Sequence, residues 1–391
     1  MSVFNQIRWS IFLNKKLIYG VYIVLAVVAA VKQYLHHTFN NYLIFKYTFW
    51  HLVELKPLYV NSPLNPYLDC NHYGPAFTLF IAPFAVLPDW LGCTLWNVSN
   101  VLILLWGIFS LPLSKHTKIV IAWICAHEAL TALFSYQFNV ALTGIILLSF
   151  SYMLKNKNVQ STFFIAFGTL VKLYGIVSLA FFFFTKDKIR FILYGIGFLI
   201  LLFVAPMAIS SPKFVIQTYY DWYDSLVQKN SSNINLDSFQ DISLMGFVRR
   251  VFQDKEIPNG PMLLSGLVLF LLPYVRISQY KRLGFRLMLL ASTLIFTVIF
   301  STGSESPTYI IAFAGIAIWY MIQPKGNWYF IALLIFAFIV TSLSPTDIIP
   351  RDLRTFIRFY SLKAVPCMLV WFTIIYQMLT VDFRKYDHLK D

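Results

Sequence analysis

Asp69 stands in NPYLDCNHYGP with Tyr67, His72 and Tyr73 around it and Pro75 opening the next segment. A carboxylate in that setting can take a proton from a hydroxyl as a general base, or it can cap the helix that follows. Lys172, in TLVKLYG, interrupts a long apolar run. A charge there costs about 3 kcal/mol on insertion scales, so it must face a polar cavity or a partner. An ammonium suits a phosphate, and the competing reading is an ion pair with a buried carboxylate, Glu128 being the obvious one. Gln137 and Asn139, in YQFNVALTG, are paired amides able to bind sugar hydroxyls or to cap a helix. Glu305, between serines in TGSESPTYIIA and just before Pro307, suits a helix start. YYDWYDSL and DISLMGFVRR bring together aromatics, Asp241, Ser243, Arg249 and Arg250. Aromatics with carboxylates suit carbohydrate and arginines suit phosphate or anionic lipid, although an interfacial aromatic belt has the same composition. His127-Glu128 lacks the second histidine of a zinc motif and reads as a buried polar pair tying helices together. Cys70, Cys93, Cys125 and Cys367 form no CxxC pair, so neither a disulfide framework nor a metal site is expected.

Membrane helices must position these residues. Hydrophobic residues make up 58% of the 391 and charged residues 12%, against roughly 25% charged in soluble domains, and mean hydropathy is +0.67. The net charge of +14 is spread over short loops beside apolar runs, which marks topology and anionic-lipid contact rather than a nucleic-acid partner. Spans are expected near 17–35, 91–112, 119–134, 138–154, 190–210, 261–277, 285–302, 308–323, 327–344 and 361–380. Residues 162–184 read either as one span or as two half-spans meeting at Lys172 and Gly175, and 75–88 as a re-entrant helix or a full crossing; either way the total is about 12. Arg8, Lys15 and Lys16 place the N-terminus in the cytoplasm, as do the basic loops 276–286 and 383–390 for their own segments. The chain therefore reads as an all-α polytopic protein with a single membrane domain over 1–391. It has a first outer loop at 36–74 and a long outer loop at 211–260. Within the first, LIFKYTFWHLVELKPLY has apolar residues near helical spacing, with Lys46, His51, Glu54 and Lys56 opposite, as in an amphipathic interfacial helix.

The order NNYLIFKYTFWHLVELKPLY, YGPAFTLFIAPFAVLPDWLGCTLWN, QFNVALTGIILL, FGTLVKLYGIV, ISLMGFVRR and SESPTYIIA resembles bacterial glycosyltransferase family 87, through about residues 17–330. The resemblance implies the C-type glycosyltransferase fold and similarity to polyprenol-phosphate-dependent mannosyltransferases of the cell envelope. It further implies a polyprenyl-phosphate hexose donor, a glycan or glycolipid acceptor outside the bacterial cytoplasmic membrane, inversion at the anomeric carbon, and no metal or other cofactor. The family carries a catalytic carboxylate in an Asp-aromatic motif of the first outer loop, where this sequence has Asn41-Tyr42. An amide cannot accept the acceptor's proton, so either the base has moved, with Asp69 nearest, or the chain is atypical. The family's lysine matches Lys172, with Tyr174 following and Gly175 in place of a proline, and the late polar motif matches Ser304-Glu305-Ser306. Inverting transfer needs one base and a cation for the departing phosphate. Asp69 suits the first role, with Glu305 as the other acid, and Lys172, aided by Arg249 or Arg250, suits the second. Tyr42, Lys46, His72, Tyr73, Gln137, Asn139, Tyr174, Asp241 and Ser243 are the remaining substrate-binding candidates. A polymerase or ligase shares the long outer loop. A transporter of lipid-linked sugars needs broken segments in corresponding halves, and only one, near Lys172, is found.

Overall fold

The computed structural model describes residues 11–236 and 240–390; Arg8 lies outside them. The protein is 76% helical, with no strand among the described residues, as the all-α expectation requires. It packs as two compact units, one from the chain up to Leu111 together with Leu130–Gln228, the other from Pro112–Ala129 and the described chain from Lys229 onward.

The first unit contains α1 (Lys15–Leu35), α2 (Asn40–Val53), α3 (Phe77–Ala85), α4 (Asp89–Ser110) and the end of α5 (Lys115–Phe134). It continues through α6 (Asn139–Leu154), α7 (Asn158–Val171), a 3-10 run (Leu173–Phe184), α8 (Lys188–Val204) and most of α9 (Pro212–Asn233). Helices α4 and α6 cross at Gly107 and Gly144, where a Cβ on Gly107 would lie 2.6 Å from the Gly144 carbonyl oxygen. Small residues permit this approach, which supplies the packing that apolar attraction cannot supply in lipid. The end of α5 is capped by neighbours. Gln33 donates to Phe134 O, Asn41 to Ser135 O and Asn97 to Leu133 O, while the Trp96 indole donates to Tyr136 O. Carbonyls at a helix end lack the next turn's N–H groups, and these side chains supply donors in their place; of these carbonyls, Leu133 O also accepts a backbone N–H, from Tyr136 at 3.0 Å.

The second unit holds the first part of α5 with α10 (Leu244–Phe252), α11 (Asn259–Leu271), α12 (Leu283–Ile299) and α13 (Tyr309–Met321). Beyond them come α14 (Trp328–Phe336), running on as a π-helical stretch Ala337–Leu343, then α15 (Arg351–Phe359) and α16 (Ala364–Thr380). Polar ties lock its apolar helices together: the Trp319 indole donates to Gln377, Gln377 to Gln323, and the Trp371 indole to Ser292.

By length and apolarity four helical segments can cross a membrane, Lys15–Leu35, Asp89–Ser110, Lys115–Phe134 and Lys188–Ala208, and α15 with α16 forms a fifth if that pair, bent by 56°, is one span. Seven further apolar segments are shorter, and their positions coincide with the spans expected from sequence. Helix α3 has nine residues, about 14 Å of rise against a core of about 30 Å, so it is too short to cross as a single helix. The run 162–184 is broken where the half-span reading put the break. Lys172 adopts an extended conformation (φ −148°, ψ 120°) between α7 and the 3-10 run. A Cβ on Gly175 would sit 2.2 Å from the Gly168 backbone, so glycine at both positions lets the second half fold back against the first.

Most of the expected outer loop 211–260 is itself helical, as α9 and α10. Helix α2 forms where the amphipathic pattern put it, with one correction. His51, expected on the polar side, is buried, its Nδ1 3.2 Å from Pro57 O, because α2 turns Tyr42, Phe45, Thr48 and Leu52 inward as one face.

Candidate active site

In the first unit the helix break gathers five of the candidates. Lys172 Nζ donates to Asn139 Oδ1 at 2.8 Å and lies 5.2 and 5.1 Å from the ring centres of Tyr73 and Tyr174. The Tyr73 hydroxyl donates to Gln137 Oε1 at 3.1 Å, and Asn139 Nδ2 donates to the same oxygen at 3.3 Å. Glu128, the carboxylate matched with Lys172 on sequence, is held by Lys363, and the Asn139 amide and two aromatic faces lie against the Lys172 ammonium. Gly74 presses on this break from the loop. Its N–H donates to Val171 O at 2.9 Å, and a Cβ there would meet Leu170 O at 2.1 Å.

The loop leading into Gly74 carries Asp69, exposed and at φ +76°, with Oδ1 accepting from the Cys70 N–H at 2.8 Å. Asn40 clamps the preceding residue through both Leu68 backbone groups at 2.8 Å, and the Trp222 indole and Ser225 Oγ bind His72 at its carbonyl (3.0 Å) and its Nδ1 (2.9 Å). Donor atoms of Asp69, Cys70 and His72 lie within 4.8 Å of one another, the one grouping among the described residues with metal-compatible spacing. Three other candidates are occupied structurally. The Tyr42 hydroxyl, fully buried, donates to Phe84 O; Lys46 pairs with Asp89 at 2.6 Å; and Asn41 caps α5. Asn41→Asp, which would recreate the family's carboxylate, is therefore expected to destabilise the protein by about 1–3 kcal/mol by setting two acceptors face to face. Thermal unfolding of the purified variant in detergent checks this; an unchanged midpoint would contradict it.

In the second unit, a cavity of about 770 Å³ is lined by Glu305, Ser306, Lys363, Arg354 and Arg358, with Gln240, Ile242, Ser344 and Ser361 among its other walls. Glu305 starts α13 through a capping box with Thr308, whose Oγ1 accepts the Glu305 N–H at 3.2 Å. Arg354 pairs with Asp347. Sequence reasoning missed all three cations. Arg354 and Arg358 fall between the spans expected at 327–344 and 361–380, and Lys363 falls at the edge of the second. The signal was there in RDLRTFIRF, whose Arg351, Arg354 and Arg358 recur at helical spacing.

The arginine pair expected to meet phosphate is buried, and it reaches this cavity only through Ser361, a wall residue that Arg250 holds. Arg249 is 1% exposed and pairs with Asp241 at 2.5 Å, also donating to Ile257 O and Asn259 Oδ1. Arg250 donates to Asp241 O at 2.7 Å and to Ser361 Oγ at 2.8 Å. Ser243 caps α10 through Gly246 N and donates to Asp241 Oδ1. Burial pushes the Asp241 carboxyl above its usual range, against the pull of Ser243 and the two arginines. Ile242, between these residues, bonds through its backbone to Ser304 O and to the Tyr309 hydroxyl at 2.8 Å each, so this network fixes the turn that bears Glu305.

The sequence profile of glycosyltransferase family 87 matches residues 71–302, more than half of the chain. The chain belongs to glycosyltransferase family 87. No curated protein matches it. In this family 87 glycosyltransferase the matched stretch contains the Lys172 cluster and the Asp241–Arg249 network, while Asp69 and Glu305 lie just outside it at either end and Arg354, Arg358 and Lys363 follow well beyond it.

Proposed function

We propose that this glycosyltransferase moves a hexose, mannose foremost, from a polyprenyl-phosphate donor to a hydroxyl of a glycan or glycolipid at the outer face of a bacterial cytoplasmic membrane. The observation that carries the reading is the cavity uniting Glu305 with Arg354, Arg358 and Lys363. A sugar phosphate presents one anionic group beside neutral hydroxyls, and a pocket with arginines at one wall and the Glu305 carboxylate, engaged in a helix cap and in no ion pair among the described residues, matches that division. In the transfer, the acceptor oxygen attacks the anomeric carbon as Glu305 takes its proton. The bond from that carbon to the phosphate oxygen breaks, and the electron pair leaves with polyprenyl phosphate, whose charge Arg354 and Arg358 stabilise. Helix α15 puts Leu353, Phe356 and Phe359 on the surface beside those arginines, an apolar flank suited to a lipid chain. The C-type glycosyltransferase fold with about 12 spans accords with this reading.

A second assignment places the base at Asp69 and the phosphate at Lys172. It is favoured by the first unit's own geometry, in which Tyr73, three residues from Cys70, packs on the Lys172 ammonium. The reaction class is tested with purified protein and a synthetic short-chain polyprenyl-phosphate mannose. Transfer or slow hydrolysis of this donor, with nucleotide sugars inert, is expected; use of a nucleotide sugar alone would overturn the donor class.

A further inference from the structure

Glu128 and Lys363 have no role in the chemistry above, yet they lie against it. Glu128 is fully buried and Lys363 is 3% exposed. The Lys363 ammonium is 3.2 and 3.3 Å from the two Glu128 oxygens, 2.9 Å from Ser306 Oγ and 3.3 Å from Ser306 O, and 4.9 Å from the Tyr309 ring centre. Buried ion pairs of this kind seldom add stability over apolar residues of the same volume. What distinguishes this one is where the ammonium ends: on the residue directly after Glu305, with Lys363 itself lining the cavity.

We infer that Glu128 and Lys363 form a charge-balanced positioning pair for Glu305. The ammonium holds the Ser306 end of the turn, and Glu128 cancels its charge, so that the arginines of the cavity set the field in which the acid works. This rests on the reading of Glu305 as the base. Among the described residues, the charged and titratable groups about Glu305 and this pair are Arg354 and Arg358 of α15, Lys363, Glu128 and His127 of α5, Tyr309 of α13, Cys367 of α16 and Arg250 of α10; Asp347 is paired to Arg354 and Asp241 to Arg249.

The two halves of the pair act with opposite sign. Glu128→Gln leaves a bare ammonium one residue from the base and favours its ionised form, so the acid limb of the kcat–pH profile should move down by roughly one pH unit. Lys363→Met leaves a bare carboxylate and should move the limb up by about as much. The neutral double variant Glu128→Gln/Lys363→Met should return the limb to its original place with kcat still reduced, because Ser306 is no longer held. Opposite shifts that cancel in the double variant are expected of a positioning pair; a purely structural pair loses folded enzyme or kcat without them. Limbs that stay in place in both single variants, or move in the same direction, overturn the inference. If a single variant does not fold, Ser306→Ala provides the decision: it keeps both charges and drops the Oγ contact, so kcat should fall about 10-fold with the limb unmoved, and an unchanged kcat overturns it. Glu305→Gln separates the two possible failures, since its survival removes the base, whereas an inactive Glu305→Gln beside unmoved limbs removes only the pair's role.

Discussion

Glu305→Gln is expected to lower turnover by about 10²- to 10⁴-fold, the usual range for loss of a general base. Glutamine keeps the shape and an acceptor oxygen for the capping box with Thr308, so the variant should fold, and its melting temperature in detergent provides the control. Because a base acts on the acceptor rather than on the donor phosphate, donor binding should persist while kcat falls. Asp69→Asn, made alongside, is expected to cost far less, since Asp69 is exposed to solvent. Should Asp69→Asn be the dead variant and Glu305→Gln stay active, the base belongs to the first unit and the assignment made here is wrong.

Asp241→Ala is expected to destabilise the protein by about 3–5 kcal/mol, the cost of stranding a buried charge. Arg249, with 1% exposure, would lose its carboxylate partner while remaining walled in. Replacing both residues, as in Asp241→Leu/Arg249→Met, should cost much less, because the desolvation penalty of each ion disappears with its charge. The pH dependence follows from the raised carboxyl. An acid whose folded pKa lies above its unfolded value holds its proton more tightly when folded, so its contribution to stability is present at low pH and is lost as pH rises through the raised value. In wild type this should show as a small decline in stability over that interval, absent from the double variant. Chemical denaturation of the two variants and the wild type across acidic pH measures both effects; a single variant as stable as wild type would remove the network from the fold's support.

The sequence by itself determined the elements. Uninterrupted apolar runs located the apolar helices to within a few residues, because a backbone in lipid must satisfy its own hydrogen bonds and helix is the local way to do so, whereas α9, α10 and α15 lie where no span was expected. The lysine in TLVKLYG likewise marked the break at 172, since a charge in an apolar run must find polar company. Gln137, Asn139, Tyr73 and Tyr174 were named as candidates, but only the fold showed that they are that company. Partner choice was decided by tertiary structure. Glu128 could be matched on paper with Lys172, yet it meets Lys363, 235 positions away along the chain. Arg249 and Arg250 read as phosphate ligands because composition does not reveal burial, and the fold spends them on Asp241. Asn41 looked like a lost catalytic acid until the structure placed it on the open carbonyl of Ser135. Arg354, Arg358 and Glu305 are separated by some fifty residues, and no local pattern announces that a cavity will close between them. Hydrophobic periodicity is a property of neighbours in the chain, whereas ion pairing and cavity lining depend on how helices pack, and that is settled only when every buried charge has found its counterpart.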